Sequence, residues 1–143
     1  VWFQGWNDMV NEQYTAAYAG HMENFIRDVR KDLGIPQMPF VIGQLGVGGT
    51  KDEKPNPKRD RFKAAQVEPT ARKEFKGNVA VVRTDRYWDE TADAVFKKGW
   101  KNNFELWQTV GSDYPFHYLG SAKTYCDIGR AFGEAMLGLM NVK

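Results

Sequence analysis

The first ten residues, Val1-Trp2-Phe3-Gln4-Gly5-Trp6-Asn7-Asp8-Met9-Val10, decide which fold this chain can adopt. Their apolar start, followed by Gly-x-Asn-Asp, predicts the end of a buried strand that runs directly into a turn. Ligands usually bind at such strand ends in an α/β sheet. No initiator methionine, signal peptide or opening cap precedes the segment, so the sequence predicts a start in the middle of a domain.

Helix and strand patterns alternate along the rest of the chain, which indicates parallel βαβ units in an α/β fold. The stretch at 46–60 is predicted to be a long surface loop and 61–75 a weaker helix interrupted by Pro69, whereas 85–116 fits no single pattern. The clearest predicted elements are an amphipathic helix over 12–33 that Gly34 and Pro36 end, buried strands over 40–42 and 78–84, and a last helix over 119–139.

Composition narrows the class of protein. The chain has 143 residues, of which 42% are apolar and 14% aromatic, which is typical of one packed globular domain. A net charge of +2 gives no electrostatic case for nucleic acid or a membrane as partner. No apolar run approaches the roughly 20 residues that cross a bilayer.

Cysteine and histidine are too sparse to suggest a metal site. The single cysteine, Cys126, lies in a helical pattern near an apolar face, which favours a buried structural thiol. His21 lies inside the first helical pattern and is best interpreted as a packing or surface residue. His117 stands alone near the other end of the chain, so we expect no metal site.

Two blocks of sequence resemble a known superfamily. Trp2-Phe3-Gln4-Gly5-Trp6-Asn7-Asp8 resembles the third conserved block of the SGNH hydrolases, and most closely that of the sialate O-acetylesterase-like carbohydrate esterases, which include acetylxylan esterases. Phe116-His117-Tyr118-Leu119-Gly120-Ser121-Ala122-Lys123 resembles the histidine block and closing helix of that group. The resemblance covers nearly the whole chain, but only the C-terminal part of the family's domain.

The resemblance implies a three-layer sandwich with a parallel sheet, of SGNH or flavodoxin-like type, whose first two strands would lie before Val1. Residues 1–143 would then be the C-terminal part of a single domain acting on an acetylated carbohydrate. The strand edge between Val1 and Gln4 would lack its neighbour. We therefore expect association through that edge, as a homodimer or with the missing N-terminal half.

The resemblance also implies the roles of three residues. Ester hydrolysis by this route needs a serine, a histidine that takes its proton and donors for the oxyanion. The resemblance implies that it uses no metal and no organic cofactor. The backbone N–H of Gly5 and the side chain of Asn7 map onto the oxyanion hole, and His117 maps onto the base. From the residues alone, Gly5 and Asn7 could equally form an Asx-stabilised turn, and His117 could be a solvated loop residue.

The triad acid and the nucleophile depart from the family pattern. The family has an aspartate three residues before the histidine, where this chain has Tyr114. Asp113 lies one residue further away, and it could reach His117 across a bulged turn or could simply be a turn residue. The two serines both come late, without the family's Gly-x-Ser strand end: Ser112 is predicted in a turn and Ser121 at a helix N-terminus.

Other polar residues have structural alternatives. Gln44 and Gln66 match family positions but could satisfy buried backbone groups. An acidic and aromatic stretch could line a sugar subsite, although a solvated loop is the favoured interpretation; it contains Asp85, Tyr87, Trp88, Asp89, Glu90 and Asp93.

Two hypotheses about function follow. The chain is either the C-terminal part of a carbohydrate O-acetylesterase or a non-catalytic carbohydrate-binding or assembly domain on the same scaffold. In the second case the aromatic and acidic stretch would be the working surface.

Overall fold

A computed structural model of the protein describes residues 1–51, 55–112 and 114–141. The chain forms two compact units: unit 1 comprises Val1–Leu45, Glu53–Arg83 and Phe132–Lys143, and unit 2 comprises Gly46–Asp52 and Thr84–Ala131. The helices and strands are α1 (Trp6–Met9), α2 (Glu12–Asp32), β1 (Phe40–Gln44), α3 (Pro57–Val67), β2 (Val79–Arg83), α4 (Glu90–Lys97), α5 (Phe104–Val110) and α6 (Ala122–Leu139).

The sheet of unit 1 pairs β1 and β2 in parallel, with Phe40 opposite Val79. Trp2 makes an isolated parallel bridge to β1: its N–H donates to the Val41 carbonyl and its carbonyl accepts from the Gly43 N–H, both at 2.8 Å. Neighbouring residues of a strand direct their backbone groups to opposite sides. β1 therefore lies between β2 and the N-terminal segment.

The predicted α/β class and both predicted strands are confirmed, but the N-terminal segment differs from its prediction. All five residues of β1 are buried, as in a strand covered on both faces. By contrast, Trp2 is half-buried and Val1 is 61% exposed, and only Trp2 forms a bridge. The buried opening strand is thus reduced to one paired residue, because the chain turns at Gly5 into α1.

The boundaries of α2 were predicted within one residue, because both ends carry strong signals. Asn11 caps the start, with its Oδ1 accepting from the Gln13 N–H at 2.9 Å. Gly34 ends the helix at φ +67°, where its N–H donates to the Lys31 carbonyl at 3.1 Å. The Ile35 N–H reaches the Arg30 carbonyl at 2.9 Å, which completes a Schellman motif.

The inner face of α2 holds unit 1 together. Tyr18, Met22 and Ile26 are buried on it, and the Tyr18 ring lies 4.6 Å from that of Phe62 on α3. Near its end, the buried Arg30 guanidinium donates to the Met38 carbonyl at 2.7 Å. That bond ties the helix to the residues that lead into β1.

The start of α3 was predicted too late. Asn56 caps the helix by accepting from the Arg59 N–H at 3.1 Å, and Pro57 occupies its first turn. The surface loop therefore ends before Pro57 instead of at residue 60. The predicted interruption at Pro69 is present as a 3₁₀ turn, Glu68–Ala71.

The stretch that resisted assignment forms most of unit 2. It contains α4 and α5, which have eight and seven residues and are too short to show a helical period clearly. Their buried cluster comprises Ala92, Val95, Trp107 and Leu119, with Trp88, Trp100 and Val110 packed against it.

The last helix begins later than predicted, and its cysteine is placed differently. A 3₁₀ turn, Tyr118–Gly120, precedes α6. The buried residues of α6 are Thr124, Ile128 and Ala131, at steps of four and three. Cys126 is exposed, because a residue two positions after Thr124 projects from the opposite side of a helix. The prediction of a buried thiol was wrong.

Candidate active site

Gly5 stands where the N-terminal segment turns into α1. It is buried, and a Cβ at this position would lie 2.5 Å from Cζ of Phe62. A glycine is therefore required by the close approach of α3. Within the described ranges, no residue accepts a hydrogen bond from the Gly5 N–H.

Asn7 is the second residue of α1, so the predicted Gly-x-Asn-Asp turn is in fact one turn of helix. Its side chain is exposed, and its amide has no hydrogen-bond partner in the part of the chain that the structure describes. An asparagine amide offers two N–H donors. The Gly5 N–H and the Asn7 amide are thus two open donors within three residues of unit 1.

Gln66 fixes the backbone that leads into residues Gly5 to Asn7, which are called the corner below. Its side chain is fully buried, and its Oε1 accepts from the Leu45 N–H at 2.8 Å. Its Nε2 donates to the carbonyls of Gln4 at 3.2 Å and Gly43 at 3.3 Å. Gln66 therefore joins the residue before Gly5 to the end of β1, so the structural alternative, that this glutamine satisfies buried backbone groups, describes its contacts. Gln44 acts similarly through Nε2, which donates to the Lys63 carbonyl at 2.9 Å.

Side chains of α1 and α2 hold the other side of the corner. Gln4 Nε2 donates to Asp8 Oδ2 at 2.6 Å, and the Tyr18 hydroxyl donates to the Gln4 carbonyl at 3.1 Å. A cavity of about 200 Å³ lies beside them, and His21 is exposed at its rim. The interpretation of His21 as a packing or surface residue is confirmed.

His117 belongs to unit 2 and lies on a strained backbone. Its φ is +44°, and Tyr118 and Leu119 follow with φ of +61° each. Three consecutive non-glycine residues in the left-handed region are unusual, since each costs about 1–3 kcal/mol. The His117 side chain is exposed, and its carbonyl accepts from the Tyr125 hydroxyl at 2.7 Å.

Tyr118 anchors the residue next to His117. Its buried hydroxyl accepts from the Gly46 N–H at 2.7 Å and shares a hydrogen bond of 2.6 Å with Thr84 Oγ1. Burial raises the pKa of Tyr118 to about 12, although those two hydrogen bonds act in the opposite direction. Gly46 has no room for a side chain, because a Cβ there would overlap the backbone of Asp85.

Both serines make contacts that hold the fold together. Ser121 is 1% exposed; its hydroxyl donates to Asp89 Oδ2 at 2.7 Å and accepts from the Thr124 N–H at 3.3 Å. Ser121 is thus the N-cap of α6, as predicted. Ser112 is exposed, and its carbonyl accepts from the Trp107 indole. Asp113, the candidate triad acid, lies outside the described residues.

The acidic stretch is not the solvated loop that the sequence favoured. Asp85 and Asp89 are buried, whereas Glu90 is exposed. Asp89 caps α4 by accepting from the N–H groups of Thr91 and Ala92. Burial alone would raise the pKa of Asp89, but its hydrogen bonds from Ser121 and from those two N–H groups outweigh burial and lower it.

A family sequence model decides what kind of protein carries this corner. The model described as "Carbohydrate esterase, sialic acid-specific acetylesterase" matches residues 1–95. The chain belongs to this family. The resemblance carried by Trp2 to Asp8 is thereby confirmed, and the matched span contains Gly5, Asn7, Gln44 and Gln66.

The rest of this acetylesterase-family chain lies beyond the match. His117, Ser112 and Ser121 follow residue 95. No curated protein and no solved structure matches the chain. Gly5 and Asn7 belong to unit 1 and His117 belongs to unit 2.

Over residues 1–51, 55–112 and 114–141, no group of three or more His, Cys, Asp or Glu residues could hold a metal ion. None of the described helices is both long and apolar enough to span a bilayer.

Proposed function

We propose that this chain supplies the oxyanion hole and the base of a serine carbohydrate O-acetylesterase. In this proposal, residues 1–143 form the C-terminal part of a single domain of SGNH type, a three-layer sandwich with a parallel sheet. One observation carries the proposal: the acetylesterase family match spans a corner where the Gly5 N–H and the Asn7 amide have no protein acceptor among the described residues.

The proposed reaction is acyl transfer. A serine hydroxyl attacks the acetyl carbonyl on a sugar while His117 takes its proton. The carbonyl oxygen becomes an oxyanion, and Gly5 and Asn7 donate hydrogen bonds to it. The intermediate collapses as His117 returns the proton to the departing sugar oxygen. Water, activated by His117, then releases acetate and restores the serine.

The serine of this mechanism is neither of the two in the chain. The Ser121 hydroxyl is buried and donates to a carboxylate, so its proton is directed away from any histidine. Ser112 lies in a loop, where its carbonyl accepts from the Trp107 indole. It does not follow a strand end of the kind that exposes a nucleophile. We therefore place the nucleophile in a polypeptide segment other than these residues.

The imidazole also needs an orienting partner. Asp113 is the proposed carboxylate for His117, on the grounds of its position four residues before the histidine. The strained backbone at 117–119 supports a functional role for this segment, because such strain concentrates at active sites.

Complementation with a serine-containing segment tests the proposal. The chain is assayed for acetate release from an acetylated aryl ester and from O-acetylated N-acetylneuraminic acid, alone and joined to a Gly-x-Ser strand segment of the same family. We expect activity only in the joined form. Hydrolysis by the chain alone that survives both Ser112→Ala and Ser121→Ala would contradict the mechanism.

The joined form then tests the assigned roles. Asn7→Ala should lower kcat by roughly 10²–10³, as for other side-chain oxyanion donors. His117→Ala should abolish the burst of acyl-enzyme formation. Asn24→Ala, which removes an exposed asparagine from α2, is the matched control and should leave kcat unchanged. Equal kcat in the Asn7 and Asn24 variants would reject the oxyanion assignment.

A second candidate function is a non-catalytic carbohydrate-binding or assembly domain. The observation that favours it is that both serines make contacts that hold the fold together: the Ser112 carbonyl accepts from the Trp107 indole, and the Ser121 hydroxyl donates to Asp89. Sugar binding with no hydrolysis in the joined form would select this alternative.

Association through the edge between Val1 and Gln4 remains part of the proposal. We infer that this edge pairs with a second copy or with the serine-containing segment. Sedimentation equilibrium of the wild type and of a Phe3→Pro variant tests it, because proline removes a backbone donor from a strand edge. A monomer at micromolar concentration in both cases would contradict pairing with a second copy, and failure of the wild type to bind the serine-containing segment as well would contradict the association.

A further inference from the structure

Unit 2 carries a continuous row of aromatic rings that ends at His117. The row consists of Phe104, Trp100, Tyr114, Phe116 and His117, and it is called the aromatic row below. Successive ring centroids are 6.3, 5.9, 5.9 and 6.4 Å apart. The rings of Tyr114 and Phe116 are nearly parallel, at 11°.

The outer part of the row is strongly exposed. Tyr114 is 62% exposed, Phe116 is 65% exposed and Phe104 is 41% exposed. Large apolar groups held together at a surface are uncommon in proteins without a function there. The acetylesterase mechanism proposed above uses none of these three side chains, so their exposure needs another explanation.

The inner part of the row is fixed by the core. Trp100 lies 5.9 Å from Trp107, which is fully buried at the centre of unit 2. Trp107 in turn donates through its indole to the carbonyl of Ser112, two residues before Tyr114. Rings whose positions are set in advance lose little conformational freedom when a ligand binds.

The groups around the row match the chemistry of a sugar. A sugar ring presents C–H groups on its faces and hydroxyls at its rim, so it stacks on an aromatic face and hydrogen-bonds to polar groups beside it. The Lys101 amine lies 5.7 Å from the centroid of Trp100, and the exposed Asn102 follows it. Both can bond hydroxyls, and Tyr114 adds a phenol.

The position of the row sets what it would bind. The row ends on His117, and in the proposed reaction His117 must reach the sugar oxygen that leaves the acetyl group. A sugar stacked on Phe116 would therefore extend away from the reacting ester along Tyr114. This step rests on the proposed function.

We propose that the aromatic row is a carbohydrate-binding platform that stacks the sugar units next to the acetyl ester, with Tyr114 and Phe116 as its main contacts. They determine substrate specificity and take no part in proton transfer. The platform favours a substrate of more than one sugar unit, because several neighbouring rings of the row are exposed and each offers a face for stacking.

Binding without turnover tests the platform. The probes are xylotetraose, acetylated xylotetraose and O-acetylated N-acetylneuraminic acid, titrated into the chain and followed by saturation-transfer NMR and calorimetry. We expect saturable binding of at least one probe, with transfer to its ring C–H protons. Absence of saturable binding of all three would overturn the proposal.

Variants locate the binding surface. Tyr114→Ala and Phe116→Ala should each raise the Kd of the tightest-binding probe by roughly tenfold. An aromatic contact contributes about as much free energy as a tenfold change in Kd represents. Tyr114→Phe and Phe116→Tyr, which keep the rings, should retain most of the affinity. Tyr14→Ala removes an equally exposed tyrosine from α2 in unit 1 and should bind as the wild type does. Circular dichroism checks that each variant is folded.

The outcomes separate this inference from the proposed function. Sugar binding that depends on Tyr114 and Phe116, in a protein that never hydrolyses an ester when joined to its serine segment, would refute the esterase and support the platform. Hydrolysis by the joined form, with unchanged probe binding in both alanine variants, would support the esterase and refute the platform. Dimerisation or binding to lipid vesicles that is lost in the alanine variants, without sugar binding, would also overturn the platform.

Discussion

The hydroxyl oxygen of Tyr118 lies 2.7 Å from the backbone nitrogen of Gly46, which is two residues after the end of β1. The same oxygen lies 2.6 Å from Oγ1 of Thr84, the first residue after β2. One phenol therefore holds the segments that follow two neighbouring strands. Because Tyr118 is next to His117, these two bonds also limit where the candidate base can go.

Removing this hydroxyl should destabilise the protein. Tyr118→Phe leaves the buried Gly46 N–H without an acceptor, which costs about 1–3 kcal/mol in free energy of unfolding. Urea denaturation measures the loss. Tyr14→Phe, at an exposed position of α2, should change stability by less than about 0.5 kcal/mol. Equal stability of the two variants would mean that the hydroxyl carries no structural role.

The same tyrosine predicts an alkaline transition. Its folded pKa is raised from 10.0 to about 12. A raised pKa contributes stability that is present below pH 10 and is lost as pH rises through 12. The difference in free energy of unfolding between wild type and Tyr118→Phe should therefore shrink across this window. A difference that stays constant from pH 9 to pH 12 would contradict the raised pKa.

The close approach at Gly5 gives a third prediction. Gly5→Ala forces a methyl group against the Phe62 ring, and overpacking of this kind costs about 1–3 kcal/mol. Gly20→Ala is the matched control, because a Cβ in that exposed turn of α2 meets nothing within 4 Å. The control should gain about 0.5–1 kcal/mol from improved helix propensity. Thermal melts that shift in the same direction for both variants would be inconsistent with the packing described.

Gln66 gives a fourth prediction. Gln66→Leu removes the acceptor of the Leu45 N–H and the donor to two carbonyls, so we expect a loss of about 2–4 kcal/mol. The Leu45 amide should also exchange its hydrogen faster in NMR measurements. Gln13→Leu, at an exposed position in the first turn of α2, is the control and should leave that exchange unchanged.

Asp89 gives a prediction at acid pH. Asp89→Ala removes the cap of α4 and the acceptor of Ser121, which should cost about 2 kcal/mol near neutral pH. The folded pKa of Asp89 is lowered from 3.8, so its contribution is present above pH 3.8 and is lost as pH falls through the lower folded value. Wild type and variant should converge in stability there. Asp28→Ala on the exposed face of α2 should show no such convergence.

Local sequence signals were sufficient for α2, β1 and β2. Asn11 and Gly34 fix the ends of α2 through bonds to residues within five positions, and β1 is a short apolar run with no alternative. The same kind of signal identified Ser121 as a cap. Such features depend on near neighbours in the chain, which a sequence displays directly.

Long-range partners explain what the sequence missed. Ser121 also bonds Asp89, which is 32 residues away, so neither residue alone reveals that the carboxylate is buried. The exposure of Cys126 depends on which face of α6 is buried, and of the three residues buried on that face only Ile128 is strongly hydrophobic. The assignment of Gly5 and Asn7 to an oxyanion hole comes from the family resemblance and stays a prediction, while the role of Tyr118 required coordinates.

The left-handed backbone at 117–119 sets thermal stability against the proposed role of His117. Glycine or asparagine would adopt those φ values more readily than His117 does. A laboratory screen that rewarded survival at high temperature alone would therefore replace this histidine, and the selected proteins would be more stable but would lack the proposed base. Preserving the imidazole through such a screen would require a second, chemical selection.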